Sequence, residues 1–88
     1  MLMTITKEDL IDENNITLIR KAAWSWYKSL YMTHEYEDVF QMCFMFVLEA
    51  LDRYNSDRGA FSTFMYTVIK NEMMKYIDKQ KGIYELVD

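Results

Sequence analysis

From Val39 to Leu48 the only polar side chain is Gln41. A helix of that composition is apolar on nearly every face, and such a helix is normally buried on all sides. A chain of 88 residues can hardly surround one of its own helices. Either neighbouring helices cover most of the run and a little shows, or part of its surface waits for another protein.

The remaining composition points to an all-α fold. There is no proline and there are two glycines, too few turn residues for a sandwich or barrel. The apolar fraction of 51% excludes a disordered chain and predicts a packed core within one domain. The spacing predicts a small bundle of three main helices, over about 16–31, 35–54 and 62–81. An N-terminal segment, 1–15, can add a short helix capped by Thr6. Asn14-Asn15 is a break or a second helix start. The helical domain spans 16–82, and 83–88 forms a tail that can dock or fray.

In the first main helix, Ile16, Ile19, Ala23, Trp26 and Leu30 make one apolar stripe. Trp24 lies off it, beside Lys21 and Lys28, and either packs under the N-terminal segment, the favoured expectation, or lies exposed. Thr33 is the expected cap of the second helix, with Glu35, Glu37 and Asp38 complementing its dipole. Val39, Cys43, Phe46, Ala50 and Tyr54 form one stripe of that helix. Asp38, Gln41, Met42, Met45, Leu48, Glu49 and Asp52 form its remaining strip. This strip is either the least buried side or a face for a basic, partly apolar partner.

Asn55 to Gly59 is turn chemistry. Ser62 is the expected cap of the third helix, with Phe61 stapled against Tyr66. Met65, Ile69, Met73, Tyr76 and Ile77 are its expected core face. Gly82 is the expected residue just beyond its end. Thr63, Thr67, Lys70, Asn71, Met74, Lys75 and Asp78 lie on the other side, as an ordinary wet surface or as groups able to meet phosphates and base edges.

Charge is unevenly placed. Residues 33–52 hold five acids and no lysine or arginine, whereas 61–81 hold four lysines against two acids. That asymmetry either separates two partners or marks two solvated faces.

Enzyme chemistry finds little support. The two glycines are 23 residues apart, so there is no phosphate-cradling loop. His34 is the only histidine and reads as a surface residue at a helix start. Cys43 is the only cysteine, which excludes an internal disulfide and a cysteine-based zinc site and suggests a buried, inert thiol. No metal or cofactor is expected. No apolar run is long enough to span a membrane. Residues 1–12 lack the basic start and apolar core of a signal peptide, so a cytoplasmic protein is expected.

Four segments in order carry a family resemblance: Glu37-Asp-Val-Phe-Gln41, Leu48-Glu-Ala-Leu-Asp-Arg-Tyr-Asn-Ser-Asp-Arg-Gly59, Phe61-Ser-Thr-Phe64 and Ile69-Lys-Asn71. Together they resemble region 2 of bacterial sigma factors, over about residues 16–81. The resemblance implies a helical domain whose second helix grips the clamp helices of the largest catalytic subunit of core RNA polymerase. Asp38, Gln41, Met42, Met45, Leu48 and Glu49 would form that contact. It also implies that Tyr54, Arg58, Phe64, Thr67, Asn71 and Lys75 meet the −10 promoter element on its non-template strand. Aromatic rings can stack on an unpaired base, and Arg58 and Lys75 can neutralise phosphates.

The chain departs from the family in three ways. Thr67 and Val68 stand where primary sigma factors carry a tryptophan pair. One residue, often basic, is missing between Gly59 and Phe61. The sequence stops at Asp88 without a −35-reading domain, so a second polypeptide with a region 4-like domain is the expected partner. The rival expectation is a sigma mimic that occupies the clamp helices and blocks host sigma without melting DNA.

Overall fold

The computed structural model describes the backbone of residues 5–86 and the side chains of residues 5–80. Four helices follow one another: α1 (Lys7–Leu10), α2 (Glu13–Leu30), α3 (Tyr36–Ala50) and α4 (Phe61–Leu86). Two 3₁₀ turns, Leu51–Arg53 and Ser56–Arg58, connect α3 to α4. The described residues contain no strand, so the all-α bundle of three main helices stands.

Thr6 starts α1 through a reciprocal cap. Its hydroxyl accepts from the Asp9 amide, and the Asp9 carboxylate accepts from the Thr6 amide at 2.9 Å. Two otherwise orphaned amides are thereby satisfied. Leu10 then turns fully into the core. The break falls at Ile11-Asp12 rather than at Asn14-Asn15. Asp12 caps α2 by accepting from the Asn14 amide at 2.9 Å, which places both asparagines inside the helix. Asn15 donates back to the Asp9 carbonyl at 2.7 Å and ties the two helices together.

α2 and α3 pack most extensively, and α4 lies against both. Ile19, Ala22 and Ala23 supply the buried face of α2, with the small alanines letting a neighbouring helix come close. On α3 the buried residues are Val39, Cys43, Val47 and Ala50. Val47 is fully buried at the centre, and Phe46 packs at the flank of the core. Met65, Val68, Ile69 and Met73 close the core from α4. Val68 is therefore a core residue, while Tyr76, expected in the core, stands half-buried at its edge.

Several expected local details give way to tertiary packing. Glu35, not Thr33, precedes α3, and it makes no side-chain cap. Thr33 is instead within 2.7 Å of the His34 ring. α4 begins one residue early, at Phe61, so Ser62 is not its cap. The expected staple to Tyr66 is replaced by a ring cluster of Phe61 with Tyr54 and Phe64. α3 stops at Ala50, and the stretch to Arg53 tightens into a 3₁₀ turn. α4 runs through Gly82 to Leu86 rather than ending there.

Trp24 is 54% exposed. It packs edge-on against Tyr36 of α3 and beside Tyr27, so its ring contacts among the described residues are with α2 and α3. Arg20 lies 4.3 Å above the Phe40 ring and 3.5 Å from Glu37, which straps α2 to the start of α3.

Candidate functional site

Two concave surfaces hold most of the residues singled out in the sequence.

The first is an open groove of about 530 Å³ along α3. Asp38, Gln41, Met42, Met45 and Glu49 line it. Steps of three and four put these side chains on one stripe of the helix. The opposite stripe, Val39, Cys43 and Val47, is wholly buried. α3 is thus core on one side and open on the other. Met45 is 47% exposed, and Gln41 is exposed as well. Leu48 falls outside the groove. It is half-buried at the strip's edge and packs against the core.

Carboxylates at both ends and methionines between them give the groove an acidic rim and an adaptable apolar floor. No lysine or arginine lines it. On the helix's buried side, the Cys43 thiol is pushed up to about 12 by burial, which keeps it protonated and inert.

Three further residues complete the groove: His34, Phe46 and Tyr76. The His34 Nε2 lies 2.7 Å from the Tyr76 hydroxyl. These two residues are 42 positions apart, and no local pattern connects them. His34, expected as a plain surface residue, is a half-buried clasp between the α2–α3 turn and α4.

The second surface is a hollow of about 310 Å³ where the 3₁₀ turns meet the start of α4. Its lining includes Tyr54, Arg58, Phe64 and Thr67 from the expected set. Arg53, Asn55 and Thr63 join them. The Tyr54 ring lies 5.1 Å from both Phe61 and Phe64, which themselves stack at 5.9 Å. The Tyr54 hydroxyl donates to the Gly59 carbonyl at 3.0 Å and pins the loop across the ring cluster. Asn55 folds the loop beneath by accepting from the Asp57 amide at 2.9 Å.

Gly59 makes this geometry attainable. Its φ of 146° and ψ of 179° lie in a region open essentially to glycine alone. An added Cβ there would meet nothing within 4 Å, so the requirement is set by the backbone and not by space.

Asn71 and Lys75 stand one and two turns further along the flank of α4 that carries Phe64 and Thr67. Both are exposed and neither lines the hollow. Lys75 is not a free cation: its ammonium sits 3.3 Å from Glu72. Arg53, which the sequence-based reading left out, is exposed at the hollow's mouth. Its position at the end of a 3₁₀ turn could not be read while α3 was expected to continue to residue 54.

An aromatic wall, two guanidinium groups and hydroxyl and amide groups at one mouth suit a flat unpaired base joined to a phosphate. The groove suits a protein surface with cationic and apolar groups. Among the described residues no group of three or more His, Cys, Asp or Glu could hold a metal ion. No described helix is long and apolar enough to cross a membrane.

The chain matches the family model described as sigma-70 region 2 over residues 11–83. Comparison with curated proteins and with solved structures finds no match.

Proposed function

This chain belongs to the sigma-70 region 2 family, whose members act in transcription initiation by binding RNA polymerase and promoter DNA, and we propose how its two surfaces divide that work. The α3 groove docks on the clamp helices of the largest catalytic subunit of core polymerase, in the cytoplasm. Asp38 and Glu49 meet basic groups there, Gln41 supplies a directional hydrogen bond, and Met42 and Met45 adapt to the apolar part. Leu48 acts at the margin. The hollow at the head of α4 receives an unpaired base of the −10 element's non-template strand. Tyr54 and Phe64 stack against it, Arg58 and Arg53 neutralise its backbone, and Thr67, Asn71 and Lys75 follow the strand along α4.

One observation carries the docking assignment. Five of the six expected contact residues line a single open groove on a helix whose other face is entirely core. In this reading a separate polypeptide reads the −35 element. The test of docking is a pull-down with core polymerase using Asp38→Arg combined with Gln41→Ala. Loss of capture with an unchanged helical spectrum is the expected result. Full capture by the variant would refute the assignment.

A second reading, a sigma mimic that occupies polymerase without opening DNA, is favoured by two observations on α4. Val68 is 8% exposed and cannot reach a base step, and Lys75 is paired with Glu72. Transcription from a template carrying a −10 element separates the two readings. Stimulation, alone or with a partner supplying −35 recognition, supports the initiation factor; inhibition alone supports the mimic.

A further inference from the structure

The α3 groove has one wall that does not come from α3. Tyr76 of α4 stands in it, half-buried, held by His34 from the α2–α3 turn. We infer that Tyr76 is a further polymerase-contact residue, oriented by His34 so that its hydroxyl hydrogen is free to donate out of the groove. This rests on the docking assignment above.

The direction of the hydrogen bonds decides what Tyr76 can offer. Thr33 Oγ lies 2.7 Å from His34 Nδ1 and 3.4 Å from the Leu30 carbonyl. That carbonyl already accepts from the Thr33 amide at 3.0 Å and the His34 amide at 2.9 Å. Its two lone pairs are thus taken, and the contact at 3.4 Å is long for a hydroxyl donor. The Thr33 hydroxyl therefore donates to Nδ1. A neutral imidazole that accepts at Nδ1 carries its hydrogen on Nε2. Nε2–H then donates to the Tyr76 oxygen across 2.7 Å.

The Tyr76 hydroxyl hydrogen finds no further acceptor among the described residues. It stands beside a groove lined by Gln41, Met42 and Met45. The imidazole also packs edge-on against the phenol, with ring centroids 5.6 Å apart, which fixes the ring as well as the hydroxyl. The complementary group is a hydrogen-bond acceptor on the polymerase face, such as a carbonyl or carboxylate, next to an apolar contact. Asp38 and Glu49 in the same groove are acceptors only, so Tyr76 adds a donor that they cannot supply.

His34 is accordingly a positioning residue, and Tyr76 touches the partner. Without His34 the phenol rotates among its rotamers, and the donor is lost on average.

The experiment is a binding titration of the full chain against core polymerase, with Tyr76→Phe, His34→Ala, His34→Gln and the Tyr76→Phe/His34→Ala double variant. The imidazole ¹⁵N shifts of the free wild-type chain are recorded beside it. Tyr76→Phe keeps the ring and is expected to weaken binding by about 2- to 10-fold, the worth of one hydrogen bond. His34→Ala should weaken it similarly, and the double variant should be no weaker than the worse single one, because both act through one hydroxyl. His34→Gln, whose amide reaches the place of Nε2, should restore part of the loss. The ¹⁵N shifts should show Nε2 protonated and Nδ1 bare. A purely structural clasp would lower thermal stability yet leave affinity unchanged at temperatures where every variant is folded, and that result overturns the inference. A neutral ring with its hydrogen on Nδ1 and Nε2 bare also overturns it. Wild-type affinity in Tyr76→Phe while Asp38→Arg/Gln41→Ala loses binding sinks only the role of Tyr76. Wild-type affinity in Asp38→Arg/Gln41→Ala removes the docking assignment itself.

Discussion

Replacing each of the two glycines by alanine should change stability in opposite directions, and the signs follow from the backbone alone. Gly59 holds φ 146° and ψ 179°, a region that costs an L-residue about 1–3 kcal/mol. Alanine restricts the unfolded chain and returns about 0.4–1 kcal/mol. No atom lies within 4 Å of the new Cβ, so no clash adds to this. Gly59→Ala should therefore destabilise by about 1–2 kcal/mol. For a domain of this size that lowers Tm by about 5–15 °C. Gly82 lies inside α4, which continues to Leu86. There alanine is the better helix former, and Gly82→Ala should stabilise by about 0.5–1 kcal/mol. Urea unfolding followed by circular dichroism measures both. A neutral or stabilising Gly59→Ala would mean that the loop does not adopt this backbone. A destabilising Gly82→Ala would mean that glycine ends the helix after all. Gly59→Ala should also weaken binding of an unpaired −10 strand, because the Gly59 carbonyl anchors Tyr54 at 3.0 Å.

Two further outcomes are expected. Cys43 contributes to stability only through its neutral form, since burial raises its thiol from 9.0 to about 12. That contribution is intact below pH 9 and is lost as pH rises from 9.0 towards about 12, because the unfolded thiol ionises and the folded one does not. Alkylation at pH 8 should accordingly be blocked until denaturant unfolds the chain. Glu72→Gln should free Lys75, strengthen −10 strand binding and steepen its dependence on salt, by up to about one phosphate contact. An unchanged salt slope would show that Lys75 does not follow the strand.

The elements that were legible in the sequence are those governed by neighbours along the chain. The three-four spacing of Ile19, Ala23 and Leu30 marked α2, and the turn residues from Asn55 to Gly59 marked the loop before α4. The acid and methionine strip of α3 could be listed from periodicity, and five of its six chosen members line the groove. Local rules failed where contacts between rings and hydroxyls set the outcome. Thr33 is suited to capping, but its hydroxyl lies 2.7 Å from the His34 ring and caps no helix. Phe61 could have stapled to Tyr66, but its ring packs with Tyr54 and Phe64. Tyr76 fits a core stripe by spacing, yet a bond to a residue 42 positions earlier holds it at the groove. Single-sequence periodicity carries no information about such pairs.

α4 bears the ring cluster near one end and Tyr76 further along, on one uninterrupted rod. From Thr67 to Tyr76 the axis advances roughly 14 Å, at about 1.5 Å and 100° per residue. A single inserted amino acid between them would swing one attachment point by about 100° around the shaft while barely lengthening it. The count of residues there is thus a phase setting, like the indexing of two cams on a common axle. Either end can drift in chemistry, but neither can gain or lose a residue without facing the wrong way.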